Sequence, residues 1–424
     1  MQNRSRYDRW YYSYIPAGIA NGSTSLLIIL FARELGASIG QIGLIAAASS
    51  LTSVPAYMLW GSLSDRLRKR KPFVIAGFIG MAFCLLLMGL STSVPNYFVA
   101  NLLFGLLSTA SAPAATVLVI ETSKREDWPK KIAAFSQMGG IGWVAGLALG
   151  AAWLQLETVQ IPLTDAMRML FIVGAGLALL SALNAWQLIR EPVMKISEKP
   201  AELTEHHYIT VERLKYMPLR MLHLFNFHAY FGRKNRFEKR LIAYLICIFL
   251  LLAGFTSFYA IFPIFLVGEI GLSSSSVFVI YIGAQLTSAL SYKYVGNVVA
   301  ERGSKKTQLI ASGTRAILFP SVVLVAHIGL PIALAFLAII LIHAIIGLCW
   351  SLINVSGSVI VSNISSEELR GHAFGAYNAS QGFGSIVGPI IGGLISQYFG
   401  YVFGFLSASA LVIVGMIILL RLRI

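Results

Sequence analysis

Acidic residues are scarce in this chain: 18 Asp and Glu stand among 424 residues, against 33 Lys and Arg. All 18 fall in polar breaks or at the ends of apolar runs, and none at the middle of one. Charged residues total 12%, about half the share found in soluble domains, whereas 57% of the chain is hydrophobic. This balance excludes a disordered chain and a nucleic-acid-binding domain. Cysteine is equally sparse. Cys84, Cys247 and Cys349 all lie inside apolar runs, where they read as small packed hydrophobes rather than disulfides or metal ligands; a secreted disulfide scaffold is excluded. No Gly-x-x-x-x-Gly-Lys-Ser/Thr stretch occurs, so nothing points to nucleotide hydrolysis. No interfacial cluster of His, Asp, Glu or Cys marks a membrane enzyme, and no cofactor or metal is expected.

What is present is apolar sequence in lengths that cross a bilayer, which takes about 20 residues. Runs begin near Tyr11, Gly40, Phe73, Asn96, Ile132 and Ala166, and again near Leu241, Ser275, Thr307, Pro331, His372 and Tyr401. Short breaks such as 33–38 and 91–96 read as tight turns between helices. One long break divides the chain into residues 1–190, 191–239 and 240–424. The expected fold is an all-α integral membrane protein with 12 transmembrane helices in two pseudo-symmetric six-helix bundles. The first span follows Met1–Arg9 directly and no small-residue cleavage site stands out, so it is expected to insert uncleaved. Of the 33 Lys and Arg, 29 fall in the termini and in alternate breaks, so both termini are expected in the cytoplasm, with the chain multi-pass in the cell membrane. The central segment mixes Leu214, Met217, Leu222, Phe225 and Phe227 with Arg213, Lys215, Arg220, Arg233, Lys234 and Arg236. It reads as an interfacial helix, interrupted at Pro218, on the anionic cytoplasmic leaflet. His206, His207, His223 and His228 lie there without metal-type spacing.

The two halves repeat. At an offset of 235, Gly36 matches Gly271, Gly61 matches Gly296, and Leu51, Thr52 and Ser53 match Leu286, Thr287 and Ser288; at 242, Gly142, Gly146 and Gly150 match Gly384, Gly388 and Gly392. Parallel repeats related by an axis along the membrane normal are a transporter architecture with the substrate held near mid-membrane. Residues 61–71, GSLSDRLRKRK, carry Gly61, Asp65 and Arg66 in the spacing of a signature, and 296–306, GNVVAERGSKK, is a degraded copy with Gly296, Glu301 and Gly303. In these segments the chain resembles the major facilitator superfamily, with Arg68 standing where the family has a second glycine. The resemblance implies a conformational latch at Gly61, Asp65 and Arg66, with Gly296, Glu301 and Gly303 as the second-half copy. The Asp65 carboxylate is expected to take hydrogen bonds from a neighbouring helix N-terminus and to pair with cations, joining the halves. Gly384, Gly388, Pro389, Gly392 and Gly393 are similar to a pattern of the family's exporters, with close helix packing as the leading explanation.

The resemblance also implies that the first, fourth, seventh and tenth spans line a cavity. Polar and aromatic residues sharing one helical face there are the candidate substrate ligands: Asn21, Thr24 and Ser25; Ser108, beside Asn101; Phe255 and Tyr259; and His343, Trp350 and Asn354. Tyr281 and Gln285 in the eighth span and Tyr377 and Gln381 in the eleventh would close the sides. These describe a neutral, aromatic-rich cavity, unsuited to dicarboxylates or phosphate esters. His343 is the candidate for proton coupling, and Asp8 and Glu121 would couple only if water reached them. Arg315 lies about nine residues into the ninth span, a helix the resemblance places at the periphery; pairing or snorkelling and contact with substrate stand equal as readings of it. The expected function is secondary transport of a small neutral or amphipathic organic solute by alternating access, foremost proton-coupled efflux of drug-like or hydrophobic compounds. Uptake or facilitated diffusion of a neutral metabolite such as a sugar is the alternative, and a non-transporting sensor the reading of a different class. The expected partners are that solute, protons and anionic lipid, with the chain a monomer.

Overall fold

The computed structural model describes residues 8–124, 127–157, 161–191, 239–366 and 369–423, which are almost entirely helical. The interfacial segment and its four histidines lie outside the described residues. After a 3-10 turn at Arg9–Ser13, the first half comprises α1 (Tyr14–Thr24), α2 (Leu27–Glu34), α3 (Ile39–Leu67), α4 (Lys71–Leu90), α5 (Val94–Ser108), α6 (Ser111–Glu121), α7 (Trp128–Glu157) and α8 (Leu163–Leu188). The second comprises α9 (Lys239–Gly268), α10 (Ser274–Arg302), α11 (Ser304–His327), α12 (Ile332–Ile364), α13 (Arg370–Phe399) and α14 (Tyr401–Arg421). Helices are the natural outcome for such runs, because hydrocarbon offers no partner for a backbone N–H or C=O that the segment does not satisfy itself.

Ten spans pass by length and composition, with α5 and α6 together forming one of them, and the bent pair α1–α2 makes an eleventh. The twelfth expected span is α10. Its 29 residues are about 43 Å of helix, ample for a bilayer, but the serines, tyrosines, Gln285 and Lys293 dilute its apolar content. Two expected continuous spans are broken. Between α1 and α2 the axis bends by 41° at Ser25–Leu26, where Thr24 Oγ1 donates to the Ala20 carbonyl and Ser25 Oγ to that of Gly22. Hydroxyls that bond back to the preceding turn compete with the helix and bend it. Between α5 and α6, Ser108 and Thr109 bond back to Phe104 and Gly105 in the same way.

The repeat is visible in local geometry. Gly36 and its counterpart Gly271 both take left-handed φ, at 82° and 78°. Two residues on, Ser38 caps α3 by accepting from the Gln41 N–H, and Ser273 caps α10 by accepting from that of Ser276. Arg68 matches Gly303 at the same offset, and both are left-handed, at 49° and 81°. The two share a positive φ but differ in ψ, 32° at Arg68 and 144° at Gly303, so the turns are related without being identical.

Helices within each half meet backbone to backbone. A Cβ on Gly142 would stand 2.5 Å from the Ile15 carbonyl oxygen, and one on Gly146 2.2 Å from that of Ile19, so α7 lies directly against α1 through Gly18 and Gly22. In the second half Gly384 and Gly388 do the same against Phe249 and Ala253 of α9. Close packing is thus what these glycines provide.

A left-handed non-glycine residue costs about 1 kcal/mol or more. Arg68→Gly is expected to be tolerated, whereas the β-branched Arg68→Val lowers stability by about 1 kcal/mol; thermal unfolding of the purified protein reads the difference.

Candidate substrate chamber

Twelve spans entered from one end return both termini to that end. The hydrogen bonds that join the two halves among the described residues all lie at the opposite end. Ser38 Oγ and the Gly40 N–H both meet Gln397 Oε1, at 3.0 and 2.7 Å, and Ser275 Oγ donates to the Ala151 carbonyl at 2.7 Å. Below them α3 and α13 are so close that a Cβ on Gly43 would lie 2.4 Å from the Pro389 carbonyl oxygen, and Gly150 of α7 faces the Phe278 ring of α10. Contact between α3 and α13 continues to Gly382, where a Cβ would lie 2.8 Å from Val54 Cγ2, and nearer the terminus end Gly139 and Gly140 of α7, Gly296 of α10 and Gly375 of α13 have open space beside them. The cleft between the halves is closed at one end.

Two chambers stand above this seam and share Ser25 and Trp143 in their walls. One, of about 400 Å³, lies in the first half and is lined by Asn21, Thr24, Ser25 and Ser108 of the expected set, together with Tyr14, Ser49, Ser53, Tyr57 and Phe104. The other, of about 480 Å³, takes in Phe255, Tyr259, Tyr281, Gln285, His343 and Trp350, with Thr256 and Ser385. Ser25 stands at the bend between α1 and α2 and Ser108 at the break between α5 and α6, and both border the first chamber.

Three expected ligands are placed elsewhere. Asn354 is exposed and donates to the Tyr292 hydroxyl at 3.1 Å. Tyr377 is buried parallel to the Tyr244 ring, centroids 6.4 Å apart, with its hydroxyl over Gly357. Gln381 is absent from both walls, its carbonyl accepting from Ser385 Oγ. Asn101 is fully buried, its amide nitrogen bonded to the Tyr97 carbonyl.

His343 is 1% exposed and neither ring nitrogen has a hydrogen-bond partner among the described residues. Its ring stacks on Phe262 at 4.9 Å and meets Tyr281 at 4.8 Å. Among the described residues no Asp or Glu lines either chamber. A fixed charge is nevertheless present, and it corrects the expectation of a neutral cavity. Arg315 of α11 is 1% exposed and belongs to the wall of the second chamber, not to the periphery. Its guanidinium lies 4.1 Å from the Phe255 ring centre and 5.6 Å from that of Trp350. Nη2 donates to the Tyr259 hydroxyl at 3.1 Å, while Nε and Nη1 have no partner among the described residues. An arginine in an apolar span with no acid at a helical neighbour was the available signal. Trp143 carried a weaker one, an aromatic following Gly142 in a run of small residues.

The signature segment forms a cluster within the first half. Arg70 Nη1 donates to Asp65 Oδ1 at 2.7 Å and Nη2 to Glu121 Oε1 at 2.8 Å. The Glu121 hydrogen bonds hold the Arg70 guanidinium above its ordinary range. The N-terminus of α4 is capped by Glu191, which accepts from the Arg70 and Lys71 N–H groups at 2.9 and 2.7 Å. Glu191 thus takes the place expected of Asp65, whose side chain is 64% exposed with its guanidinium partner in the same turn. Arg66 and Glu301 are exposed, and Gly61 lies beside Pro113. No hydrogen bond from these six residues crosses to the other half among the described residues. Asp8 is paired with Lys131 and Glu121 with Arg70, so neither faces a chamber.

The family model of the major facilitator superfamily matches residues 11–356, and a second match covers 245–424. The chain belongs to this superfamily. Multidrug resistance protein 1 of Bacillus subtilis (strain 168) is 22% identical over 376 residues, covering 86% of this chain and 82% of that protein. Multidrug resistance protein 2 of the same organism is 22% identical over 390 residues, 91% and 87% of the two chains. Among solved structures, the nucleoside transporter NupG superimposes with a TM-score of 0.70 at 16% identity over 98% of each chain. A D-xylose–proton symporter does so at 0.65 and 16%, over 99% of this chain and 96% of that one. These likenesses carry the fold; the protein is a transporter of small molecules and not an enzyme.

Arg70 satisfies two carboxylates at once, so Arg70→Ala leaves both without their cation. The variant is expected to lose about 1–3 kcal/mol, read as a lowered thermal midpoint, while Asp65→Asn, at an exposed position, loses much less.

Proposed function

We propose that the protein exports amphipathic organic solutes by alternating access, and that its termini face the cytoplasm. The observation that carries this reading is a cleft sealed by Ser38, Gly40 and Gly43 against Gln397 and Pro389, above which stand chambers walled by Phe, Tyr and Trp. The basic residues concentrated at the terminus end put that end inside, so the cleft opens to the cytoplasm, where an exporter collects its load. Large rings contribute apolar area with little specificity for shape, which suits drug-like compounds better than a sugar, whose hydroxyls call for many aligned donors and acceptors. The names of the Bacillus relatives agree with that preference.

Proton coupling is assigned to His343, the titratable group in the chamber wall other than tyrosine and arginine. In proteoliposomes holding a lipophilic fluorescent solute, an imposed proton gradient is expected to raise flux severalfold. His343→Gln is expected to keep downhill flux and lose the gradient's effect. Equal acceleration in the variant would remove His343 from coupling, and absence of protein-dependent flux would end the transport reading.

The seam must part when the cleft opens outward. Gly43→Leu inserts a side chain where a Cβ alone would already meet backbone, so it is expected to wedge the halves apart at that end. Spin labels across α3 and α13 should show a longer mean separation, with export slowed; an unchanged distance distribution would count against the rocking seam.

A further inference from the structure

Arg315 is a buried cation with donors to spare. A guanidinium presents five N–H donors in a planar fork, and here one of them reaches the Tyr259 hydroxyl while Nε and Nη1 bond to nothing among the described residues. Leaving charged donors dry and unpaired is costly, and two features offset that cost for Arg315. The rings of Phe255, Tyr259, Phe319 and Trp350 lie within 5.9 Å of its central carbon and stabilise the charge through their faces. The side chain borders a cavity of about 480 Å³ rather than packed protein. Among the described residues no carboxylate lines that cavity, which leaves the charge for a ligand to answer.

We infer that the second chamber selects a monoanionic organic substrate, whose carboxylate or sulfonate is taken by Arg315 while its apolar body lies among Trp143, Phe255 and Trp350. This rests on the transport reading and narrows its substrate class. A guanidinium edge matches a planar carboxylate; here Nη2, already bonded to Tyr259, would present its second proton together with Nε or Nη1 once the buried fork turns toward the chamber. One fixed cation answers one negative charge. A dianion would bring a second charge into an aromatic pocket with no cation left for it, so aryl phosphates and dicarboxylates remain unfavoured. The expectation of an uncharged solute is narrowed to an amphipathic one with an acid head.

Three compounds of nearly equal shape test this: 1-naphthaleneacetate, 1-naphthaleneacetamide and 1-naphthylmethylammonium. Binding is measured by calorimetry on the full chain in nanodiscs of phosphatidylcholine, and flux in vesicles of the same lipid. The unmodified protein is expected to bind the acetate at least tenfold more tightly than the amide and the ammonium least, a result that needs no variant to fold. Arg315→Gln is expected to remove the acetate's advantage while changing the amide by less than about threefold, and Arg315→Lys, which keeps the charge without the fork, to retain part of it. Equal affinity of the unmodified protein for acetate and amide would overturn the inference, as would an advantage that survives in Arg315→Gln. Nanodiscs containing phosphatidylglycerol separate the other source of a monoanion: full displacement of the acetate by that lipid would assign the site to a headgroup and overturn a soluble substrate. Selective binding without flux would sink the transport reading and leave this one standing, whereas flux blind to charge would do the reverse.

Discussion

Direct contact between helix backbones is the constraint on which this molecule depends. In hydrocarbon, two apolar helices gain little by burying side chains against each other, since lipid tails are equally apolar; they gain by approaching closely. Gly18 and Gly22 against Gly142 and Gly146 allow this in the first half, and Gly384 and Gly388 against α9 allow it in the second. At each a Cβ would stand well inside van der Waals contact, so the geometry is available to glycine alone. The same device recurs where the halves meet, at Gly43 and Gly393. There the contact faces a partner that the transport cycle requires to leave. A glycine seam presents few interlocking side chains and can part without repacking a core, which makes it a fitting surface for a reversible closure.

Polar groups in this bundle do two jobs that spacing alone does not separate. Some satisfy the fold: Ser181 accepts from the Ala17 N–H, and Trp153 donates to the Ala166 carbonyl. Others line the chambers, and these gather where helices are interrupted. Ser25 stands at the bend between α1 and α2, and Ser108 ends α5. Breaks that weaken a helix also turn hydroxyls and carbonyls toward the cleft, where irregular backbone is tolerated because it borders a cavity. The signature cluster does the first job. Arg70, Asp65, Glu121 and Glu191 tie the α3–α4 turn to the ends of α6 and α8, and in this open-ended conformation they hold one half together.

Span number and repeat were legible because they rest on long-range composition. Twenty apolar residues in a row have few alternatives to crossing, and an offset shared by Gly36, Gly61 and Ser38 survives loss of identity elsewhere. The bend at Ser25 was not legible, since it depends on which hydroxyls turn back on their own helix. Helical phase put Phe255, Tyr259, His343 and Trp350 on cavity-facing sides, and they border one chamber. It misjudged Asn354, one turn beyond Trp350, because phase gives direction around an axis and says nothing of what stands opposite; Tyr292 occupies that space. Tyr377 failed for the same reason, stacked on Tyr244 in the body of the half. The role of Arg315 was open in the sequence, because its helix is peripheral while an arginine side chain is long enough to pass between neighbours; the rings of α9 and α12 receive it.

A lone cation in the wall also bears on how the cycle is driven. On the proposed scheme the loaded carrier is neutral at mid-depth, with the acid head against Arg315, whereas the empty carrier returns with an uncompensated positive charge. An inside-negative membrane acts on that return, drawing the positive chamber back toward the cytoplasm with up to about 2.3 kcal/mol per 100 mV for a full crossing of one charge. Each turn then moves one negative charge outward, and the potential alone favours export. The potential would act alongside any proton taken up at His343, and among the described residues no carboxylate lines the chambers. The scarcity of acidic residues and the unpaired arginine become two sides of one arrangement: a carboxylate in that wall would pair with Arg315 and compete with the substrate for it.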